Sequence, residues 1–264
     1  MNRVVGSHNI LFITLDTLRY DIAERELNRG NLPGIGQHLP GGKWEMRHAP
    51  GSFTFSSHQA FFAGFLPTPV EPRPHGRLFA IEFPGSRTTT TDTFVFRQPS
   101  IVQGFAANGY RTICMGGVGF FNTTSVLGSV LPAMFEESYW ESDFGVAHPE
   151  SLTNQVDRAI DLIQAEDSNR RMFLFLNVAA IHQPNYFYIS GRTREEGDDL
   201  ESHAAALRYV DGELPRLWDA FAKRGPLFVI LCSDHGTAYG EDGYTGHNLA
   251  HPVTWTVPYG DFFL

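Results

Sequence analysis

The sequence has few cysteines and no long apolar run. Its 264 residues contain two cysteines, Cys114 and Cys232, and neither belongs to a C-x-x-C pair. We therefore predict neither a disulfide framework nor a cysteine metal site. No run approaches the ~20 apolar residues that a membrane span needs. The longest candidate, Met172–Ile181, is interrupted by Asn177, so membrane insertion is not expected.

Basic residues are also scarce. The chain has 20 Lys and Arg against 29 Asp and Glu, which gives a formal net charge of −9. Because phosphate backbones select basic surfaces, nucleic acid is not an expected partner. The apolar run Ile10–Thr14 is too short for a signal peptide, and cysteines in apolar runs fit a reducing compartment. The sequence therefore predicts a cytoplasmic protein without a membrane partner, and it leaves the oligomeric state open.

What the chain does contain is an alternation of apolar runs and helical patterns. Continuous apolar runs are typical of central parallel strands that are covered on both faces. The predicted strands are Asn9–Leu15, Lys43–His48, Tyr110–Met115, Arg171–Asn177 and Pro226–Cys232. One predicted helix ends near Asn28, and another begins near Thr54. The other predicted helices span Pro99–Asn108, Thr124–Phe135, Pro149–Ala165 and Glu201–Ala222. This alternation predicts an α/β fold, a three-layer sandwich with a mostly parallel central sheet and helices on both faces.

Two stretches need separate comment. Residues 67–98 contain prolines and a polar run, and we predict that they form an insertion with one strand at Leu78–Phe83, within a single catalytic domain spanning 1–264. In the helix Glu201–Ala222, we predict that His203 and Asp211 occupy surface or ordinary polar positions.

Polar side chains gather where the predicted strands end. Asp16, Asn177 and the segment Ser233–Gly236, which contains Asp234 and His235, all lie at or just after such ends. The sites of open parallel sheets lie beyond these carboxyl ends, and a carboxylate with an imidazole suits zinc or a similar divalent ion. The alternative is that Asp234 and His235 form an ion-paired strand end. Gly236 is predicted to allow a sharp turn.

A cluster of small polar residues precedes the apolar run that ends at Gly64. Serine and threonine before such a run and glycine after it are helix start and stop signals. Residues 54–57 are therefore expected at a helix N-terminus, where backbone N–H groups attract anions. The alternative to a functional role is that Thr54 is simply the N-cap of this helix, because threonine is favoured in that position.

Several segments resemble the alkaline phosphatase superfamily, in particular its sulfatase-like and phosphoethanolamine-transferase-like branches. The matching segments are Asn9–Asp21, Thr54–His58 with the following Gly64 and Pro67, and Ser233–Pro258; His182–Pro184 is a shorter match. They occur in the order of the family and span almost the whole chain.

The resemblance implies a metal site and a nucleophile. Asp16, Asp234 and His235 would be metal ligands, and Thr54 would be the nucleophile and a further ligand. His182 and His247 would act in catalysis and contact the substrate or leaving group, or help to hold a second ion. The remaining assignments are Ser57 and His58 as substrate-binding residues, His58 also as a residue that orients the Thr54 turn, and Arg19 as a structural ion-pair partner.

Three positions depart from the family pattern. Ser56 stands where proline is usual, Ala63 where threonine is usual, and Asn177 where two-metal relatives carry an additional aspartate. Thr54 cannot be converted to formylglycine, which favours phosphoryl over sulfuryl chemistry. We expect Zn²⁺, with Mn²⁺ as the alternative, in one tight site, and the second site is left open.

The implied activity is a metal-dependent phosphohydrolase or phosphotransferase. It would act on a small-molecule phosphate mono- or diester through a covalent phospho-threonine. Two alternatives stay open: an inactive relative that binds a phospho-ligand or a protein partner, and a sulfate-ester hydrolase.

Overall fold

A computed structural model describes residues 3–64, 98–165 and 169–264, and the backbone of 79–81 and 94–96. Most of the predicted insertion at 67–98 lies outside these residues. The strand predicted there at Leu78–Phe83 is observed as Phe79–Ile81. The assignment of 1–264 to a single domain stays a prediction.

The strands build one large sheet and two small ladders. Their bounds are β1 Asn9–Leu15, β2 Glu45–His48, β3 Phe79–Ile81, β4 Phe94–Phe96, β5 Arg111–Met115, β6 Glu137–Tyr139, β7 Met172–Val178, β8 Leu227–Cys232, β9 Ala238–Tyr239, β10 Thr245–Gly246 and β11 Thr256–Phe263. In the described residues the large sheet has seven strands in the order β2-β11-β8-β1-β7-β5-β6. The strands from β8 to β6 run parallel, and β11 is antiparallel to both β8 and β2.

Helices cover both faces of this sheet. Their bounds are α1 Tyr20–Asn28, α2 Pro33–Gly36, α3 Thr54–Ala63, α4 Ile101–Ala107, α5 Ser151–Ala165, α6 Leu200–Ala222 and α7 Pro252–Trp255. Alternate side chains of β1 enter two apolar clusters, since successive residues of a strand face opposite ways. Leu11 and Ile13 pack on the side of α1, α5 and α6, whereas Ile10 and Phe12 pack on the side of α3 and α4. The predicted three-layer α/β sandwich is therefore confirmed.

The helix predicted at Thr124–Phe135 is wrong. The segment forms turns that end in one 3-10 turn, Pro132–Met134. The side chain of Asn122 accepts hydrogen bonds from the N–H and hydroxyl of Thr124, at 3.0 and 2.6 Å. Gly128 lies so close to the Asn122 carbonyl that an added Cβ would be 2.3 Å away. This local hydrogen bonding competes with a helix.

His203 and Asp211 were predicted at surface or ordinary polar positions, and the surface alternative is wrong because α6 buries both side chains. The carboxylate of Asp211 accepts hydrogen bonds from the N–H groups of Gly34 and Ile35, at 2.9 and 2.7 Å, and so satisfies the start of α2. Burial raises the pKa of Asp211 above its ordinary value.

Of the helices in the described part of the chain, none combines the length and the apolar character that crossing a membrane requires.

Candidate metal and catalytic site

Three acid and histidine side chains converge at the carboxyl edge of the sheet. Asp16 directly follows β1, and Asp234 and His235 follow β8, its hydrogen-bonded neighbour. All three side chains are buried, and one ligand atom from each lies within 4.8 Å of the others. The two parallel strands therefore bring together residues more than 200 positions apart, as the sequence predicted.

The free atoms of this group suit a divalent cation. Asp16 Oδ1 and Asp234 Oδ2 are buried without a hydrogen-bond partner, and they lie 3.7 and 3.5 Å from His235 Nε2. The Nδ1–H of His235 donates to the Gly236 carbonyl at 2.9 Å, which leaves Nε2 with its lone pair. Two carboxylate oxygens and one imidazole nitrogen are a donor set that zinc accepts.

The electrostatics of this group also favour a bound cation. Burial, followed by the neighbouring Asp16 carboxylate, raises the pKa of Asp234 well above its usual range. Burial lowers the pKa of His235 and so favours its neutral form. In the described residues no lysine or arginine pairs with either carboxylate. The alternative of an ion-paired strand end therefore has only neutral histidines as partners in the described residues, and a cation would offset the charge of the buried carboxylates.

Thr54 lies beside these ligands, at the first residue of α3. Its hydroxyl donates to Asp16 Oδ2 at 3.3 Å and lies 3.3 Å from His235 Nε2. The N-cap position belongs to Phe53, and no side chain caps the helix. The interpretation of Thr54 as an N-cap is therefore wrong. Its hydroxyl oxygen is a fourth atom that could coordinate a metal ion, beside the side chains of Asp16, Asp234 and His235.

A buried polar group behind Thr54 fixes its orientation. The Nδ1–H of His58 donates to the Thr54 carbonyl at 2.7 Å, and Nε2 therefore accepts from the Thr14 hydroxyl at 3.0 Å. Burial lowers the pKa of His58 to about 4, so the ring is neutral at pH 7. Ser57 is buried too and donates to the main-chain oxygen of Asp234 at 2.7 Å. Both side chains thus support Thr54 and Asp234 from the protein interior.

Asn177 holds the other side of Asp16. Its Nδ2 donates to Asp16 Oδ2 at 3.1 Å and to the Thr14 hydroxyl at 3.3 Å. Its Oδ1 accepts from the N–H groups of Gly117 and Val118, at 3.3 and 3.0 Å. Thr14 was not predicted as a site residue, although the sequence shows it, like Asn177, as a polar residue in an apolar strand. The structure places the two residues opposite each other in register.

The two remaining predicted histidines lie next to this group. The rings of His235 and His247 are 4.6 Å apart, and those of His247 and His182 are 5.3 Å apart. Both His182 and His247 are partly exposed. Burial lowers the pKa of His247 to about 4. The three rings thus form a row that leads from the buried ligands to the surface.

Arg19 forms the structural ion pairs that were predicted for it. Its guanidinium contacts both carboxylate oxygens of Asp21, at 2.9 and 2.7 Å, and also pairs with Glu241. Because Glu241 lies between β9 and β10, this pair ties the Asp16 turn to the loop that leads to His247. At the turn itself, Thr17 has a φ of 65°, a conformation that threonine rarely adopts.

Gly236 serves a purpose other than the predicted sharp turn. Its φ is not in the left-handed region, but an added Cβ would lie 2.0 Å from the Val253 carbonyl oxygen. Its N–H also donates to the Thr254 carbonyl at 2.7 Å. The backbone after His235 therefore needs a residue without a side chain because another backbone approaches it closely.

We expect Gly236→Ala to lower the free energy of unfolding by about 1 to 3 kcal/mol, because backbone atoms must move to admit the methyl group. Urea denaturation measures this change. The matched control is Gly212→Ala, at an exposed position inside α6 where an added Cβ meets nothing within 4 Å. The control should raise stability by about 0.5 to 1 kcal/mol. Equal stability of Gly236→Ala and wild type would contradict the close approach.

Comparison with known protein families identifies the family of the chain. The sulfatase family model matches residues 8–259. The chain belongs to the sulfatase family. As such it is a hydrolase or transferase of phosphate or sulfate esters. A comparison with curated proteins finds no match.

Solved structures with the same fold include two phosphoethanolamine transferase domains. The soluble domain of lipooligosaccharide phosphoethanolamine transferase A from Neisseria meningitidis has a TM-score of 0.66 and 14% identity, over 98% of this chain and 77% of that one. The periplasmic domain of phosphoethanolamine transferase EptC from Campylobacter jejuni has a TM-score of 0.63 and 13% identity, over 99% and 81%.

A further similar structure is an alkaline phosphatase superfamily protein from Vibrio parahaemolyticus, with a TM-score of 0.57 and 16% identity, over 98% of this chain and 61% of that one. The family match over residues 8–259 confirms the resemblance to the sulfatase-like branch of this superfamily. At such identities the likeness concerns the fold. The cytoplasmic location stays a prediction. Of the two transferase structures above, that from Campylobacter jejuni is a periplasmic domain and that from Neisseria meningitidis is a soluble domain.

Proposed function

We propose that the chain is a metal-dependent phosphohydrolase or phosphotransferase that forms a covalent phospho-threonine at Thr54. The observation that carries this proposal is the position of the Thr54 hydroxyl, 3.3 Å from both Asp16 Oδ2 and His235 Nε2 and beside two carboxylate oxygens without partners. A nucleophile placed among metal ligands is the arrangement that activates a weakly acidic hydroxyl.

The residues that would hold the cation are Asp16, Asp234, His235 and Thr54. Four donors, one of them imidazole, fit tetrahedral Zn²⁺, and Mn²⁺ is the alternative. One similar structure, the periplasmic domain of EptC from Escherichia coli, is a complex with Zn. When bound, the cation would lower the pKa of the Thr54 hydroxyl and offset charge on the phosphoryl oxygens.

Each side chain then has a role in the transfer. The Thr54 oxygen forms a bond to phosphorus, and its proton moves toward Asp16 Oδ2, which already accepts its hydrogen bond. The bond from phosphorus to the ester oxygen breaks, and the leaving oxygen takes a proton from a water molecule at the open side, where His182 and His247 lie. His247, neutral at pH 7, contributes an N–H hydrogen bond. Water or an acceptor alcohol then attacks the phospho-threonine and regenerates Thr54.

The supporting residues keep this arrangement in place. Asn177 occupies Asp16 Oδ2 and thereby leaves Oδ1 for the cation. Ser57 and His58 were assigned to substrate binding from the sequence. Their buried hydrogen bonds to Asp234 and Thr54 favour a positioning role instead.

The experiment is turnover of aryl phosphate monoesters and diesters by purified protein, with Zn²⁺ or Mn²⁺ added after chelation. We expect hydrolysis that depends on the metal, together with phosphate on Thr54 when the reaction is quenched in acid and examined by mass spectrometry. Aryl sulfates are assayed in parallel. Turnover of sulfates alone, or activity that survives chelation, would contradict the proposal.

A further inference from the structure

A second buried polar group lies beside the metal site and takes no part in the chemistry described so far. We call it the Tyr239 network, and its members are Asn185, Ser202, His203 and Tyr239. The side chains of Asn185, Ser202 and His203 are fully buried. None of the four has a role in the proposed reaction, and a buried polar group of this size needs an explanation of its own.

Asn185 uses its whole amide. Its Nδ2 donates to the Ile181 carbonyl at 2.9 Å and to the Tyr239 hydroxyl at 3.0 Å. Its Oδ1 accepts from the Ser202 hydroxyl at 2.6 Å. Ile181 is the residue before His182, so the first of these bonds closes the loop that carries His182. The Nδ1–H of His182 donates to the Gln183 carbonyl at 2.6 Å inside that loop, which directs its Nε2 outward.

The Tyr239 hydroxyl joins this loop to the metal turn. His203 Nε2 accepts from the Arg19 N–H at 3.4 Å, so its Nδ1 carries the proton and donates to the Tyr239 oxygen at 3.1 Å. Burial lowers the pKa of His203 to about 3, which agrees with a neutral ring. Tyr239 lies four residues after His235, and Arg19 lies three residues after Asp16.

One hydroxyl therefore connects the segments that carry Asp16, His182 and His235. We propose that Tyr239 and Asn185 are positioning residues that hold His182 at the open side of the metal site. The proposal rests on the role of His182 proposed above. Misplacing a group in the transition state by about 1 Å can cost about 10²-fold in rate, so loss of one anchoring bond should be visible in kcat.

The test is a double-mutant cycle between Tyr239→Phe and His182→Ala in the metal-loaded protein. Two quantities are measured: kcat for an aryl phosphate ester and the Kd for inorganic phosphate. We expect Tyr239→Phe to lower kcat by about 10- to 100-fold and to weaken phosphate binding, with unchanged metal content. In the His182→Ala background the same change should have no further effect, because the tyrosine acts through the histidine.

The matched control is Tyr209→Phe. Tyr209 lies on α6, and its hydroxyl accepts the Thr153 N–H at 2.9 Å, a bond to no member of the Tyr239 network. Its loss should alter stability and leave kcat and the phosphate Kd unchanged. Equal effects of Tyr239→Phe in the two His182 backgrounds, or no effect in either, would overturn the proposal. If Tyr239→Phe does not fold, Asn185→Asp replaces it, since it keeps the acceptor for Ser202 and loses both donated bonds.

The phosphate arm separates this inference from the proposed function. If the wild type turns over no ester, the proposed function fails. The Kd values for inorganic phosphate, measured in the wild type, the two single variants and the double variant, still decide whether Tyr239 acts through His182, because phosphate binding requires no turnover.

Discussion

Thr54→Ala is expected to lower kcat by about 10³- to 10⁶-fold, the range that removal of a catalytic nucleophile produces. The alanine cannot form the bond to phosphorus. The ligands Asp16, Asp234 and His235 remain, so metal content should stay close to that of the wild type. The measurements are kcat on an aryl phosphate ester, metal analysis of the same sample, and mass spectrometry of the acid-quenched reaction.

Thr54→Ser is the matched control, because it keeps a hydroxyl at the first position of α3. We expect it to retain measurable turnover and a phosphorylated residue 54. Full activity in a purified Thr54→Ala sample would show that the chemistry does not pass through this hydroxyl. Loss of activity together with loss of metal would instead assign Thr54 mainly to metal binding.

Asp234→Asn should abolish the stabilisation of the protein by metal. In the wild type a cation that binds only the folded state adds about 2.7 kcal/mol at a free concentration of about 100 times Kd. For a chain of this size that raises Tm by roughly 5 to 10 °C. Asparagine supplies no second negative oxygen, so in the variant Zn²⁺ should leave Tm nearly unchanged. Thermal unfolding with and without Zn²⁺ measures the difference.

The same variant should behave differently without metal. The pKa of Asp234 is raised by burial and by the neighbouring Asp16 carboxylate, so the metal-free wild type pays for an unfavourable buried charge that asparagine removes. Metal-free Asp234→Asn should therefore unfold no earlier than the metal-free wild type. Asp211→Asn is the control: it changes a buried carboxylate that accepts hydrogen bonds from the N–H groups at the start of α2 and from none of the ligands, so it should keep the full response to Zn²⁺. Equal responses of Asp234→Asn and wild type would contradict the site.

The sequence predicted the strands of this site better than its loops. Runs such as Pro226–Cys232 are apolar throughout, and only a central strand buries such a run on both faces. The observed β8, Leu227–Cys232, agrees within one residue. By contrast, Thr124–Phe135 had apolar residues at helical spacing, yet Asn122 and Gly128 hold it in turns. Local side-chain hydrogen bonds decided that segment, and apolar spacing does not report them.

Polar residues on helices were the least predictable from the sequence. His203 and Asp211 lie on a helix whose pattern is amphipathic, and that pattern shows only which face is apolar. Their burial depends on what packs against α6, namely α2 and the segment around Tyr239. The hydrogen-bond partners of these two side chains lie 36 to 184 residues away in the chain.

The sequence by itself predicted five of the seven strands of the described large sheet, their mostly parallel direction and the polar residues that end them, but neither β6 nor the antiparallel β11. It did so because apolar runs and strand-end carboxylates are local features. Only the tertiary structure decided that Asp16 Oδ1 and Asp234 Oδ2 lack partners, that Asn177 and His58 hold Asp16 and Thr54, and that Tyr239 joins three loops. Those facts depend on hydrogen bonds between segments that are distant in the chain, and they form only when the strands lie side by side.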